Sequence, residues 1–466
     1  MNSGNRYQID MCHGPLFSKI ILFSFPLIVT NMLQLIFQAI DLVVLGQFAD
    51  AESMAAVGAT GGLTILVLNI FFGISVGVNV LAARYTGAKD RKKVSQTVHT
   101  AASVAFFGGL LMALLGILIA RPVLRLMDVP EEILDRSTVY MRIYCAGIPF
   151  VISYNFGSSI LRELGDTRRP LVFMIIAGIV KVLLNLFFVL VLHWDVAGVA
   201  LTTMISNALS ATLVIITLRT ARDSSRLIWK QIRINGEVLK EMLKIGLPAG
   251  IQGSFFSLSN IVIQSTVNAF GAVVIAGNTA AYSLESIAYV GCSAYYYTAI
   301  SFIGQNHGAQ KYKRIARSIG WCFLCSFTVS VLFGWGFYLF GVQLLKIYNS
   351  DPEVIKWGLM RMKILLTTYF ICGFMDVISG SLRGLGHSVK PTLVTLLGVC
   401  FFRIGWVFWI FPLSPTMENL MISYPVSWSL VAAVNGIILF VICRKMFRKA
   451  ADGRQLHPEF GLLHSR

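Results

Sequence analysis

Leu161-Arg162-Glu163-Leu164-Gly165, with Pro170 following, recurs as Leu382-Arg383-Gly384-Leu385-Gly386, with Pro391 following, at an offset of 382 − 161 = 221. Outward from this stretch the same spacing returns. Gly87-Ala88 recurs as Gly308-Ala309, again at 221, each pair followed by basic residues. Pro130-Glu131 answers Pro352-Glu353, and Phe25-Pro26 answers Leu247-Pro248, both at 222. Four correspondences at a near-constant offset mark two copies of one structural unit.

The solvent of those copies follows from composition. Of 466 residues, 56% are hydrophobic and 13% charged, and the mean hydropathy is +0.72. A soluble domain is about 45–50% apolar and about 25% charged. A chain so depleted in charge has the bilayer as its solvent. A spanning helix needs about 20 apolar residues. Apolar runs at 16–45, 54–83, 94–120, 134–161, 170–192 and 195–219 give six spans in the first half. Runs at 241–268, 275–304, 315–345, 354–381, 391–411 and 420–443 give six in the second. Several exceed what the bilayer needs, so they tilt or protrude. The fold class predicted is an all-α membrane protein of twelve transmembrane helices, with no room for a separate soluble domain.

The net charge is +17. Its distribution argues against nucleic acid, because the basic residues cluster in short loops between apolar runs. Lys89 to Lys93, Arg168-Arg169, Arg219 to Lys244, Lys311 to Arg317, Lys390 and the tail from Arg444 lie in one set of loops. The other set holds Asp50, Glu52, Asp195, Asp351, Glu353 and Glu418, with some bases among them. The positive-inside rule then places both termini and the long linker in the cytoplasm. The expected organisation is a six-helix half at 1–219, a basic linker at 220–240, and a six-helix half with a short basic tail at 241–466. An even number of spans per half makes the repeats parallel, related by an axis along the membrane normal. Halves of this kind can rock around a shared cavity.

Most of the eight cysteines lie in apolar runs, and Cys322-x-x-Cys325 reads as packing within a span rather than a redox or zinc pair. The polar segment before Pro15 lacks the pattern of a cleavable signal peptide. No Walker motif, zinc-ligand constellation or nucleophile elbow is present, so neither an enzyme nor a resident metal or cofactor is expected. His99 and His387 fall near cytoplasmic span ends and read as solvated. Tyr295-Tyr296-Tyr297 reads as an interfacial or packing run.

Asp41-Leu-Val-Val-Leu-Gly46 and Ser53-Met-Ala-Ala-Val-Gly58, with the Gly87-Ala88 loop and the doubled Leu-Arg-x-Leu-Gly motif, resemble the MATE (multidrug and toxic compound extrusion) transporters. The likeness runs over nearly the whole chain. It implies two six-helix bundles forming a V, and export of amphipathic organic cations coupled to entry of protons or sodium ions. The alternative is a flippase for lipid-linked cargo in the same broad superfamily. That function calls for several arginines in the cavity. Small organic cations and membrane lipid are the expected partners of a monomer.

Charges inside spans carry the mechanistic reading, because each costs a few kcal/mol at mid-bilayer. Asp41 lies late in span 1, where the resemblance implies a coupling acid. Lys181 and Asn185 share one face of span 5 by their spacing of four. Some relatives carry an Asn and an Asp there, so this chain departs from the family pattern. A pair between the Lys181 ammonium and Asp41 would stand in for a bound cation and break on protonation. This departure favours protons over sodium. Glu285 in span 8 shares a face with Tyr282 and Tyr289, a setting suited to a lipophilic cation. Asp376 in span 10 has Asn155 as its repeat partner, at 376 − 155 = 221. Arg403 is a further intramembrane charge. Relatives carry acids near Cys372 and Phe256 that this chain lacks, and Glu285 with Asp376 are the alternative pair. Pro26 and Pro248, within spans 1 and 7, are candidate hinges.

Overall fold

The computed structural model describes residues 8–451; Met1 and Arg466, and with them the expected placement of the termini, lie outside the described residues. Among the described residues twelve long helical rods follow one another, with a short helix, Gly341–Lys346, between the ninth and tenth. The rods are α1 (Leu16–Phe48), α2 (Ala51–Gly87), α3 (Arg91–Leu126), α4 (Glu131–Glu163), α5 (Arg168–Val191) and α6 (Asp195–Thr220). Then come α7 (Gly236–Asn268), α8 (Ala272–Gly308), α9 (Tyr312–Leu339), α10 (Pro352–Gly384), α11 (Val389–Leu413) and α12 (Met417–Ala451). Among the described residues nine are long and apolar enough to cross a membrane. The other three are α4, α7 and α8. Along α4 and α8 many polar side chains are buried against protein. Such residues face neighbouring helices, where lipid does not reach them.

The repeated motifs turn out to be helix ends. Gly165 (φ +89°) and Gly386 (φ +86°) take the left-handed conformation that favours glycine. At the first, the Gly165 N–H bonds to the Arg162 carbonyl at 2.8 Å and the Asp166 N–H to the Leu161 carbonyl at 2.9 Å. At the second, Gly386 bonds to Arg383 at 2.8 Å and His387 to Leu382 at 2.9 Å. This is the paired bonding that stops a helix and satisfies its last carbonyls. The Gly-Ala repeats end α2 and α8 in a similar way, with Lys89 and Gln310 both at φ 57°.

Two compact units divide the chain by packing. Unit 1 holds Phe25–Ala82 and Asp90–Gly250, together with residues 8 and 9. Unit 2 holds Asp10–Ser24, Ala83–Lys89 and the described chain from Ile251 onward. In unit 1, α4 packs along α3 and α6. Helix α2 meets the first part of α7 through Gly73-xxx-Gly77 and Gly246-xxx-Gly250. A Cβ on Gly73 would stand 2.1 Å from the Gly250 nitrogen, so only glycines permit this approach. In unit 2, α8 packs against α9 and α10, and α10 against α12. A large core of aliphatic, sulfur-containing and aromatic side chains fills the space between them.

Three helices carry π-turns: α3 at Val104–Gly108, α5 at Phe187–Val191, and α11 at Leu396–Phe401 and Trp406–Ile410. The basic connection is shorter than the loop expected at 220–240, since α7 begins at Gly236 behind the Asn235 cap. It is also fastened to unit 1, which corrects the reading of His99. His99 is buried, with Nδ1 2.7 Å from the Ser95 carbonyl and Nε2 accepting the Ile228 N–H at 3.1 Å. Those two bonds require the proton on Nδ1. His387 is only half-buried; burial, then Lys390 and Arg84, hold its imidazole below its ordinary pKa. Cys322 and Cys325 are free, buried thiols.

Candidate functional site

In unit 1, Ala177, Gly178, Lys181 and Asn185 form the buried face of α5, as a period near four dictates. Gly178 lets α1 come close: a Cβ there would lie 1.7 Å from the Phe37 ring. One turn after Phe37, Asp41 meets the polar pair. Lys181 Nζ donates to Asp41 Oδ2 at 2.6 Å, and Asn185 Nδ2 donates to Oδ1 at 2.7 Å. Thr202 of α6 donates to the Asn185 carbonyl oxygen, which fixes the way round of that amide. All four are buried, Asp41 and Lys181 each 8% exposed. Around them Ile40, Val44, Tyr140, Tyr144, Leu186 and Val199 form one apolar cluster. Tyr140 stacks on Tyr144 with ring centroids 6.1 Å apart. A carboxylate and an ammonium are thus held in contact in dry surroundings, each carboxylate oxygen with one donor.

In unit 2 the charged centre is built otherwise. Arg361 of α10 donates from Nη2 to Glu285 Oε2 at 2.6 Å and from Nε to the same oxygen at 3.1 Å. Its Nη1 donates to Asn278 Oδ1 at 2.7 Å and reaches Met421 Sδ at 3.5 Å. The guanidinium also lies over the rings of Tyr282 and Tyr424, 5.5 and 5.8 Å from their centroids. Glu285 is therefore committed to a cation of the protein itself. Tyr282 and Tyr289 present exposed rings on the same helix. Asp376 shares no hydrogen bond with Glu285, and its Oδ2 is buried without a hydrogen-bond partner. Asn155 bonds to the Val151 carbonyl of its own helix at 2.8 Å. Arg403 lies 3.9 Å over the Tyr424 ring and donates to Ser427 Oγ at 2.9 Å. Arg383 of the repeated motif bonds to Tyr296, to Gln252 at 2.8 Å and to Thr392 at 3.1 Å, tying α10 to α7, α8 and α11. Among the described residues no cluster of three or more His, Cys, Asp or Glu could hold a metal ion.

The MatE family model matches residues 26–187 and again residues 248–409, so both halves carry it. The chain belongs to the MATE family. It is a multi-pass membrane transporter and not an enzyme. Similar curated proteins include "Probable multidrug resistance protein YpnP" of Bacillus subtilis, 26% identical over 84% of this chain and 88% of that one. "Probable multidrug resistance protein NorM" of Thermotoga maritima is 25% identical over 84% of each. "Multidrug export protein MepA" of Staphylococcus aureus is 22% identical over 88% and 91%. Among solved structures, a MATE crystal structure in the bent conformation superposes with a TM-score of 0.87 at 19% identity, covering 95% of this chain and 98% of that one. A second, described as "Reverse polarity of binding pocket suggests different function of a MOP superfamily transporter from Pyrococcus furiosus Vc1", superposes with a TM-score of 0.87 at 19% identity over 94% of this chain and 98% of that one.

In this MATE protein the structure brings Asp41, Lys181 and Asn185 together, and it adds residues the sequence reading leaves out: Thr202 in the first centre, and Arg361 with Asn278, Met421 and Tyr424 in the second. Thr202 carries no charge to mark it. Arg361 does, and a signal existed: its repeat partner is Tyr140, since 361 − 140 = 221, an aromatic beside the acid of the other half. Lys181 and Arg403 correspond likewise, at 403 − 181 = 222. Pro26 and Pro248 lie inside unbroken helices. Each is within three residues of the point where its helix passes from one packing unit to the other, Ser24/Phe25 and Gly250/Ile251.

Proposed function

We propose that the protein is a secondary antiporter of a bacterial inner membrane, with both termini cytoplasmic. It exports amphipathic, cationic drugs or metabolites and is driven by proton entry, with sodium as the alternative ion. The observation that carries this reading is the buried Asp41–Lys181–Asn185 centre. With Asp41 ionised, the ammonium is its counter-ion. A proton on Asp41 Oδ2 removes one of the two charges and sets an O–H donor against N–H donors. The contact loses its charge attraction, and Lys181, a point charge on a flexible stem, is free to swing away. An organic cation arriving at ionised Asp41 competes with the same ammonium, so proton and drug exclude one another there. The prolines where α1 and α7 change packing unit are the places where such a rearrangement turns into motion of the halves.

Efflux of ethidium from proteoliposomes, with proton and sodium gradients imposed separately, tests the reading. Efflux driven by the proton gradient in wild type and lost in Asp41→Asn is expected. Normal transport by both Asp41→Asn and Lys181→Ala would remove Asp41 and Lys181 from the mechanism. A flippase reading has one observation on its side, the buried arginines Arg361, Arg383 and Arg403 on α10 and α11 of unit 2. Arg361 is neutralised by Glu285, and the other two are bonded to neutral side chains in the packed interior. That setting favours a structural role over a polyanion site.

A further inference from the structure

Unit 1 contains a cavity of about 360 Å³ between α3, α4, α6 and the connection that leads to α7, away from the Asp41 centre. That volume is in the range of small-molecule sites, about 300–1,000 Å³. Its walls include Phe106 and Phe107 of α3, Ser153 of α4 and Ile215 of α6, and its cover is Trp229 and Ile232 of the connection. Apart from the Ser153 hydroxyl and the Trp229 indole, every lining side chain is apolar.

Three features build it. The π-turn Val104–Gly108 breaks the register of α3 and turns Phe106 and Phe107 outward, 58% and 60% exposed, edge to face. The cover is bonded in place. The Leu227 N–H reaches the Leu218 carbonyl at 3.0 Å, His99 Nε2 accepts from Ile228, and Thr100 Oγ1 accepts the Asn235 N–H at 3.2 Å. The segment over the cavity is cationic. Arg219, Arg222, Arg226, Lys230 and Arg233 stand in residues 219–233 against the single acid Asp223, and the Arg219 guanidinium lies 5.6 Å over the Trp229 ring. An apolar recess covered by a segment of exposed cations, at the end of membrane helices, repels an organic cation. It complements an amphiphile with an anionic head and an apolar tail. Basic pockets between membrane helices hold anionic lipid headgroups by this means.

We infer that this cavity binds one acyl chain of an anionic phospholipid from the surrounding bilayer, its phosphate held by Arg222, Arg226 and Lys230. The bound lipid fastens the connection to unit 1. None of these residues belongs to the Asp41 centre, so the site stands whether or not the transport reading does.

The test uses full-length protein in detergent with phosphatidylglycerol carrying a diazirine in its acyl tail, and phosphatidylcholine with the same tail as control. After irradiation, label is expected on peptides covering 98–107 and 227–232, at least tenfold more from phosphatidylglycerol. Ala102→Phe, which fills the cavity, is expected to remove that label. Arg222→Ala/Arg226→Ala/Lys230→Ala is expected to equalise the two lipids. Ser153→Phe serves as the second filling variant if Ala102→Phe does not fold, folding being read from an unchanged melting temperature. Label spread evenly over the outer surface, equal labelling by both lipids in wild type, or label undiminished in a folded filling variant would overturn the proposal. Competition by glycerol 3-phosphate as strong as by the unlabelled lipid would also overturn it, because the acyl chain would then contribute nothing.

Discussion

Asp41–Lys181 in unit 1 and Glu285–Arg361 in unit 2 are ion pairs with both side chains buried, and the two are built to opposite ends. Asp41–Lys181 joins a carboxylate to a lysine through one contact, with Asn185 on the second oxygen. Glu285–Arg361 joins a carboxylate to an arginine through two, and the arginine is further held by Asn278, Met421, Tyr282 and Tyr424. A guanidinium keeps its charge and its fork is rigid, whereas an ammonium on a four-carbon stem leaves easily. The difference teaches that buried charge in this fold serves two purposes. The unit 2 pair locks α8, α10 and α12 together. On the proposed mechanism, the unit 1 pair is the one that a single proton opens.

The largest effect that would sharpen this contrast is on stability. Arg361→Met leaves Glu285 buried and strips Asn278 of its donor. It is expected to cost about 3–5 kcal/mol, as breaking a buried pair does. Thermal unfolding in detergent checks it, and a loss no larger than that of Lys181→Met would break the comparison. Lys181→Met itself leaves Asp41 hydrogen-bonded to Asn185 and able to take up a proton, and is expected to cost less, about 1–3 kcal/mol. Gly178→Val acts on the approach of α1 to α5. It drives a branched side chain into the Phe37 ring and is expected to cost about 1–3 kcal/mol, with efflux falling in parallel because Asp41 is displaced. Unaltered efflux in a destabilised Gly178→Val would separate the packing from the pair.

The smallest effect lies outside the spans. Asp50, in the turn between α1 and α2, accepts from Arg136 Nη1 at 2.6 Å, and that bond, with those from Ser53, holds its carboxyl at about 2. Its folded value is below the unfolded one of about 3.9, so its stabilisation is complete above about pH 4 and disappears as pH falls through about 2. Both side chains are well exposed, so Asp50→Asn is expected to leave melting at pH 7 almost unchanged. A large drop at pH 7 would show that a surface pair matters as much as a buried one.

Much of the architecture could be read from residues 161–165 and 382–386 because a helix stop has a local sequence code. Glycine takes the left-handed turn, its N–H closes on the carbonyl three residues back, and the N–H of the next residue closes on the carbonyl five residues back. Nine of the twelve rods among the described residues are marked by hydrophobic length alone, and the repeat supplies α4, α7 and α8, with buried polar side chains diluting that signal along α4 and α8. The Asp41 centre was partly legible, since Lys181 and Asn185 share a face whatever α1 does. Arg361 was not found, because its partners Glu285 and Asn278 are 76 and 83 residues away and only tertiary packing selects them. His99 was misread for the same reason: the chain that covers it returns from residue 228. The π-turns leave no periodic signature, and with them the cavity behind Phe106 was invisible.

The most direct test replaces each pair by neutral residues and measures proton-driven ethidium efflux from proteoliposomes. The double variants are Asp41→Asn/Lys181→Met and Glu285→Gln/Arg361→Met, each compared at equal amounts of folded protein. The first is expected to lose more than tenfold of the wild-type rate, about 1.4 kcal/mol in barrier terms, with its folded yield intact. The second is expected to transport within tenfold of wild type once folded. Full transport by the first, or loss only in the second, would contradict the assignment of the Asp41–Lys181 pair as the element that opens in each cycle.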